Sequence, residues 1–579
     1  MKVDQKINGL RYGMAACFLF LAVTLTSLQI FQAEKYQELA LNNRIRRVPL
    51  SAPRGIIYDR NGKILVANRP SYDVELVLDE VKDLEHMAKY LGEALQREPE
   101  EILKRVRSER YLPYLPVIVA RDVGMERLTR LLETRKDLSG INVAVRAVRS
   151  YPRGPLAAHV LGTLGQISPS EYGRWKQSGY GPQDMIGKTG IESVFNAQLV
   201  GRPGGMQVQV DSRGVKDKVL GYKVPVKGVD LTLTLDADLQ NIVEDQMAGK
   251  TGAVVVLDVP TGEILAMASA PGFDPTVFVE SARKKDRQLV LKDHKRPLVN
   301  RAISGVYPAG SVFKTMVGLA GLESRSIKAD TRYYCSGEFQ LGDTTFHCWR
   351  KHGHGTVDLE EALKYSCNVF FYRAGLQTGE TRIQAMAGAF GLGAKTGILL
   401  PNEASGLLPM EEWKRAHGLG AWKKGDTVNL AIGQGYMLVT PIQMAELGAC
   451  LGSGGIWRTP MIVRNDARFA PFAREISLNR ENLKKILQGM IRVVNDKDAT
   501  GYSAHLDNIV AAGKTGTVQT HLDRANKKDH AWFVGFAPAE DPKIAISVIA
   551  EGAGSGGLAA APIAREIFKA YFKENLSRP

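Results

Sequence analysis

From Tyr12 to Ala33 the chain carries no charged side chain and is dominated by Leu, Phe, Val and Ala. At about 1.5 Å per residue, a helix over this stretch crosses the roughly 30 Å hydrocarbon core of a bilayer. It is longer than the roughly 7–15-residue apolar region of a signal peptide, and no small-x-small cleavage site follows. The pattern predicts an uncleaved membrane anchor over 12–33, led by a short segment 1–11. Lys2, Lys6 and Arg11 precede the anchor, while Lys35, Arg44, Arg46 and Arg47 follow it, so charge alone does not orient the span.

Beyond the anchor the periodicity changes repeatedly. Arg54 to Ala67 reads as two short strands around an Asn61-Gly62 turn, and Val81 to Arg107 is helical and amphipathic, with Leu84, Met87, Leu91 and Leu95 on one face. Turn-rich stretches follow at 151–155, 187–192 and 201–205, none of them a phosphate-binding Gly-x-x-x-x-Gly-Lys-Ser/Thr loop. Residues 34–226 are expected to form a mixed, loop-rich domain without chemistry of its own. At Val229 to Leu235 the composition shifts to a strand, followed by a helix from Asp236. Gly252 to Val259 and Glu263 to Ala268 form a hairpin through Pro260-Thr-Gly262. Three more strands lie far downstream, at 512–518, 531–536 and 543–549, before a closing helix through Ile563 to Phe572. The long stretch between the two strand groups is mostly helical. Such segregation predicts an α+β fold for 227–579, with helices packed on an antiparallel sheet.

The 579 residues are 44% hydrophobic and 24% charged, enough for a sizeable core. A net charge of +15 fits an anionic membrane surface or a nucleic acid. Zinc-finger spacing, RNP-type aromatics and a basic recognition helix are all missing from the sequence, which argues against nucleic acid.

The candidate chemistry starts at Ser311. Pro308 and Gly310 break the backbone, and an apolar helix then places Ser311 and Lys314 three residues apart, on one face. Serine is a poor nucleophile unless a neighbour removes its proton. Lysine, with an ordinary pKa near 10.4, does so at neutral pH only where burial or a nearby cation disfavours its ammonium form by roughly 4 kcal/mol. Taken alone, Ser311 reads equally as a helix cap. A second Ser-x-x-Lys, at Ser281 and Lys284, sits in a charged run and reads as a surface helix. Acyl transfer also needs a relay hydroxyl, a carboxylate anchor and oxyanion donors. Ser366-Cys-Asn368, at the head of a helical run, offers the hydroxyl and an amide. Lys514-Thr515-Gly516-Thr517 lies on a strand, where Lys514 and the hydroxyls suit a carboxylate and Gly516 allows a substrate backbone close. Ser477-Leu-Asn479, Lys188-Thr-Gly190 and Lys395-Thr-Gly397 repeat these triplets in other contexts.

Ser311, Ser366 and Lys514, in this order, form the Ser-x-x-Lys, Ser-x-Asn, Lys-Thr-Gly set of penicillin-binding proteins and serine β-lactamases. With the anchor, Arg54–Gly62, Gly187–Glu192 and Gly433–Gln443, nearly the whole chain resembles a class B penicillin-binding protein. Phe346-His-Cys-Trp-Arg-Lys-His-Gly-His-Gly355 is similar to the elongation-type members. The resemblance implies a dimerisation-type pedestal ahead of a transpeptidase domain with a five-stranded sheet. It also implies a D,D-transpeptidase that cross-links peptidoglycan stem peptides outside the cytoplasmic membrane, is inhibited by β-lactams, and works with a polytopic rod-shape glycosyltransferase. A division-type transpeptidase, a β-lactamase-like protein and a β-lactam sensor are the alternatives.

Cys335 and Cys348 fall between the nucleophile helix and the relay segment, and Cys367 is the middle residue of that segment, with His347, His352 and His354 nearby. Three thiolates and one imidazole make a closed tetrahedral zinc site. The family resemblance favours His354, since its metal-site loop aligns on Cys335, Cys348, His354 and Cys367. A Cys335–Cys348 disulfide is the competing expectation.

Overall fold

The computed structural model describes the chain except residues 1, 37–44, 51, 109–115, 134–138, 176–179, 181–183, 211–215, 281–282, 465–471, 519–528 and 577–579. An apolar helix, Lys2–Thr26, continues into a π-helical turn, Ser27–Phe31. The span Ile7–Phe31 is long and apolar enough to cross a membrane, and none of it is buried against the protein. It overlaps the anchor expected over 12–33 but starts and ends earlier.

Two compact units follow, and the chain enters each more than once. The first comprises Met1–Arg54, Asn68–Val148 and Val200–Gly228; the second comprises Gly55–Ala67, Arg149–Leu199 and Val229–Pro579. In the first, Gly204–Val210 pairs antiparallel with both Ile45–Leu50 and Lys216–Lys223. The predicted helical run 81–107 is two helices, Leu84–Leu95 and Pro99–Ser108. Gln96 adopts a left-handed conformation (φ 54°) that ends the first, and Pro99 opens the second, where its missing N–H is harmless. Asp83 caps the first helix by accepting from the N–H groups of Glu85 and His86. Met87, Leu91 and Leu95 are buried, as the pattern requires.

The second unit is organised on one antiparallel sheet. Its strands are β1 (Gly252–Asp258), β2 (Ile264–Ala270), β3 (Ala512–Val518), β4 (His530–Ala537) and β5 (Ile544–Ala550). They lie in the order β2-β1-β5-β4-β3. β1 and β2 form the predicted hairpin, with Gly252 opposite Ala270. Both faces are covered, which explains the near-continuous apolar runs. Ala253, Val255 and Leu257 point into one core, whereas Val254 and Val256 point into another with Leu239, Val243, Ile563, Ile567 and Phe568. The first core takes α1 (Lys314–Glu323), α2 (Asn368–Thr378) and α3 (Pro441–Gly452); the second takes the closing helix α4 (Gly556–Leu576). The strand expected over 229–235 shrinks to Leu231–Thr232, pairing parallel with Ile57–Tyr58.

Candidate active site

The turn carrying the candidate nucleophile is fixed from three directions. Tyr307 exchanges backbone hydrogen bonds with Val439, Gly310 N–H donates to Gly433 O at 2.8 Å, and Trp532 Nε1 donates to Pro308 O at 3.1 Å. The Tyr307 hydroxyl donates to Glu551 at 2.6 Å, and Arg301 Nε donates to the same carboxylate oxygen at 2.9 Å. Ser311 therefore lies in a single 3₁₀ turn, Gly310–Phe313, rather than in the α-helix proper, which starts at Lys314.

Lys314 is completely buried. Its Nζ donates to Ser366 O at 2.7 Å, Ser366 Oγ at 3.2 Å and Asn368 Oδ1 at 2.6 Å. Among the described residues no hydrogen bond joins it to Ser311 Oγ. Burial pushes its pKa down to about 8, against the opposing pull of the Cys348, Cys367 and Cys335 thiols. Ser366 is buried and held at φ 54°, a left-handed conformation uncommon for serine. Next to it, Cys367 N–H donates to Ala362 O at 2.9 Å, and its thiol caps α2 by accepting from Phe370 N–H.

β3 supplies the other wall. Lys514 is fully buried, and its Nζ donates to Thr515 O at 3.1 Å. Burial, reinforced by the charge of Lys314, holds its pKa well below the ordinary lysine range. Thr515 Oγ1 donates to Thr500 Oγ1 at 3.1 Å, and Thr517 Oγ1 accepts from Gly556 N–H at 3.2 Å. A Cβ on Gly516 would meet Val312 at 3.3 Å and Ala309 O at 3.4 Å, so this glycine seats the strand against the nucleophile turn. A serine on a fixed turn, a buried amine of lowered basicity, a second hydroxyl on that amine and a lysine–threonine strand are the parts of a serine acyl-transfer site.

Residues 252–569 match the family profile described as the penicillin binding protein transpeptidase domain. This chain is a penicillin-binding protein. Residues 49–233 match the penicillin-binding protein dimerisation domain, and the two in this order make it a class B member. Its relatives include the peptidoglycan D,D-transpeptidase MrdA of Acinetobacter baumannii, 35% identical over 97% of this chain and 87% of that protein. The MrdA of Escherichia coli K12 is 33% identical over 93% of this chain and 89% of its own. Among solved structures, a penicillin-binding protein PBP2 in complex with MreC from Helicobacter pylori aligns with a TM-score of 0.81 and 29% identity, covering 92% of this chain and 99% of that one. Pseudomonas aeruginosa PBP2 aligns with a TM-score of 0.69 and 30% identity over 91% and 96% of the two chains.

In this penicillin-binding protein the loop between α1 and α2 also gathers Cys335, Cys348, His354 and Cys367, whose ligand atoms lie within 4.8 Å of one another. His354 Nδ1 stands 3.5 Å from Cys348 Sγ and 3.7 Å from Cys335 Sγ. No disulfide joins Cys335 to Cys348, and the cluster contains neither His347 nor His352. Cys348 Sγ accepts from Asn368 N–H, and hydrogen bonds from Cys367, His354 and the backbone favour its thiolate. Three thiols and one imidazole at these separations fit a tetrahedral metal ion of the structural kind.

The repeated triplets have ordinary partners. Asn479 caps a helix by accepting from Glu481 N–H, Lys188 pairs with Glu171, and Thr396 donates to Glu403 through both N–H and hydroxyl. Ser281 lies outside the described residues. Thr500 and Glu551 also border the candidate site but carry no sequence motif. They meet it only through tertiary packing.

Proposed function

We propose that this penicillin-binding protein is the elongation-type peptidoglycan D,D-transpeptidase of its cell, working through an acyl-enzyme on Ser311. The buried Lys314 amine, hydrogen-bonded to Ser366 and Asn368 beside the Ser311 turn, carries this reading. Lys314 in its neutral form takes the Ser311 proton as the hydroxyl oxygen attacks the penultimate D-alanine carbonyl of a donor stem peptide. The N–H groups of Ser311 and Thr517 receive the oxyanion, a contribution of about 10²–10³ in rate per donor. Ser366 passes the proton to the departing D-alanine amine. Lys514, Thr515 and Thr517 hold the donor's terminal carboxylate. An amine of a second stem peptide then takes the acyl group and completes the cross-link. A β-lactam carries a carboxylate and a strained amide in the same relation, so it acylates Ser311 and stays.

Further parts of the reading concern the whole chain. Residues 12–33 anchor it once in the cytoplasmic membrane with 1–11 inside; 34–226 form a non-catalytic pedestal and 227–579 the catalytic domain, both outside. Cys335, Cys348, His354 and Cys367 hold one structural zinc that ties their loop to Ser366 and Asn368. The partner is a polytopic glycosyltransferase of the rod-shape machinery. A solved structure entitled "Structural coordination of polymerization and crosslinking by a peptidoglycan synthase complex", aligned at a TM-score of 0.74 with 27% identity over 98% of each chain, supports such an assembly.

Labelled penicillin followed by intact-mass and peptide mapping tests the central claim. One adduct on Ser311, absent from Ser311→Ala, is expected. An adduct on another serine, or labelling that survives the substitution, would remove Ser311 from its role.

A further inference from the structure

The segment 496–500 is fastened to the residues just ahead of Ser366. Lys364 is buried, and its ammonium pairs with Asp496 at 2.9 Å and with Asp498 at 2.7 Å. The Tyr365 hydroxyl donates to Asp498 at 2.8 Å, and Arg492 pairs with Asp496 at 3.3 Å. Pulling the segment away from Ser366 would strand the buried cation, so the attachment is firm. Thr500 continues it through the backbone. Its N–H at 3.4 Å and its hydroxyl at 3.0 Å both donate to Lys364 O.

The same hydroxyl meets β3. Thr500 Oγ1 accepts from Thr515 Oγ1 at 3.1 Å. Packing closes the surroundings: a Cβ on Gly557 would fall 2.3 Å from Thr500 O, and one on Gly501 would touch Thr515 Cγ2 at 3.4 Å. One side chain therefore bridges the segment that carries Ser366 and the strand that carries Lys514 and Thr517. A hydroxyl has a single proton and two lone pairs. Thr500 directs its proton to Lys364 O, and Thr515 directs its own to Thr500, so the pair is polarised toward Lys364. On the acyl-transfer reading above, on which this inference rests, Thr515 donates to the carboxylate of the residue that leaves as D-alanine. It does so only if its proton turns.

We propose that Thr500 is a positioning residue for carboxylate recognition, and that arrival of the carboxylate reverses this two-hydroxyl chain. Thr500 turns its proton to Thr515 Oγ1, and Thr515 turns its own to the carboxylate. Both hydroxyls rotate and no O–H bond breaks. Lys364 O is not orphaned, because the Thr500 N–H still points at it. Donation from Thr500 polarises the Thr515 hydroxyl and makes it a stronger donor to an anion. The Lys364 clamp is the fixed base that keeps the Thr500 hydroxyl within reach of Thr515.

The test uses the full chain in detergent and two thioesters, benzoyl-D-alanyl mercaptoacetate and its carboxamide, whose leaving thiols differ only in the carboxylate. Thiol release gives kcat/KM for each, and the acid-to-amide ratio reports carboxylate recognition independently of the fraction folded. The natural sequence should favour the acid. Thr500→Val, which keeps the shape and removes the hydroxyl, should lower the ratio about tenfold, as expected for the loss of one hydrogen bond to a charged group. Thr500→Ser should keep the natural ratio. Thr515→Val should lower it at least as far, and adding Thr500→Val to Thr515→Val should lower it no further, the pattern of a residue that acts through another. A ratio near unity in the natural sequence, one that Thr500→Val leaves unchanged, a serine variant that behaves like the valine one, or additive losses in the double variant overturns the proposal while leaving Ser311 acylation intact. Thiol release from neither thioester in the natural sequence would overturn the transpeptidase reading and the proposal together.

Discussion

Lys314 Nζ and Asn368 Oδ1 lie 2.6 Å apart, joining the first turn of one buried helix to the first turn of another. This contact aims the amine and keeps it from turning into the apolar core. Asn368→Ala should slow penicillin acylation by about 10²-fold while Ser311 remains the labelled residue. In the natural sequence the acylation rate should climb with pH through about 8, because only neutral Lys314 accepts a proton. Stopped-flow acylation across pH checks both points; a rate insensitive to Asn368 would assign the amide to packing alone.

The thiol–imidazole cluster predicts one zinc per chain by elemental analysis. Cys348→Ser should lose the metal, a few kcal/mol of stability and most acylation, whereas Cys17→Ser in the anchor should keep all three. Metal-free protein with full acylation would sever the cluster from the active site.

A different test addresses the scaffold. Arg149 Nε and Glu192 Oε1 are 2.6 Å apart with both side chains fully buried, and Arg149 also donates to Gly55 O. Glu192→Ala removes a buried counter-charge from the guanidinium and should destabilise by about 3–5 kcal/mol. Replacing both by apolar residues, as Arg149→Met with Glu192→Leu, should cost less than the single change. Denaturant unfolding of the full double-mutant cycle measures this; a double variant no better than Glu192→Ala would assign the loss to packing.

His159 provides a pH signature. Burial, helped by the charge of Arg301, lowers its pKa from 6.5 to about 4, although its Nε2 donates to Pro297 O. The folded protein thus holds the ring neutral where the unfolded chain would protonate it. Stability is unaffected by this group above pH 6.5 and falls with decreasing pH between 6.5 and about 4. The slope should approach about 1.4 kcal/mol per pH unit, and His159→Gln should remove that increment. Equal slopes in the two proteins would exclude the histidine as the cause.

Much of the candidate site's layout was legible because its spacing is local. The i, i+3 spacing of Ser311 and Lys314 fixes a shared face, and β3 could be read from Ala512 to Val518 without knowing its partners. What pairs over long separations was not legible. The chain does not say that Ile57 pairs with Leu231, so the interleaving of 55–67 and 149–199 with the catalytic unit stayed hidden. The same holds for Thr500 against Thr515 and for Tyr307 against Glu551, which meet across intervals that no periodicity encodes. The break at Gln96 was readable in principle from Pro99, but amphipathic spacing continued across it and concealed the stop.

The Ser311 turn is wedged between two glycines. Gly433, at φ 67°, leaves no space for a Cβ, which would fall 2.3 Å from Gly310 O, and Gly516 presses on Ala309 and Val312 from the other side. On the proposed chemistry an organism under β-lactam selection therefore has little freedom at the floor of this site: a side chain added at Gly433 would displace the Ser311 turn and should cost acyl transfer along with drug binding. Resistance should arise instead on the rim, in surface loops whose changes slow entry of a compact drug and still admit a long peptide.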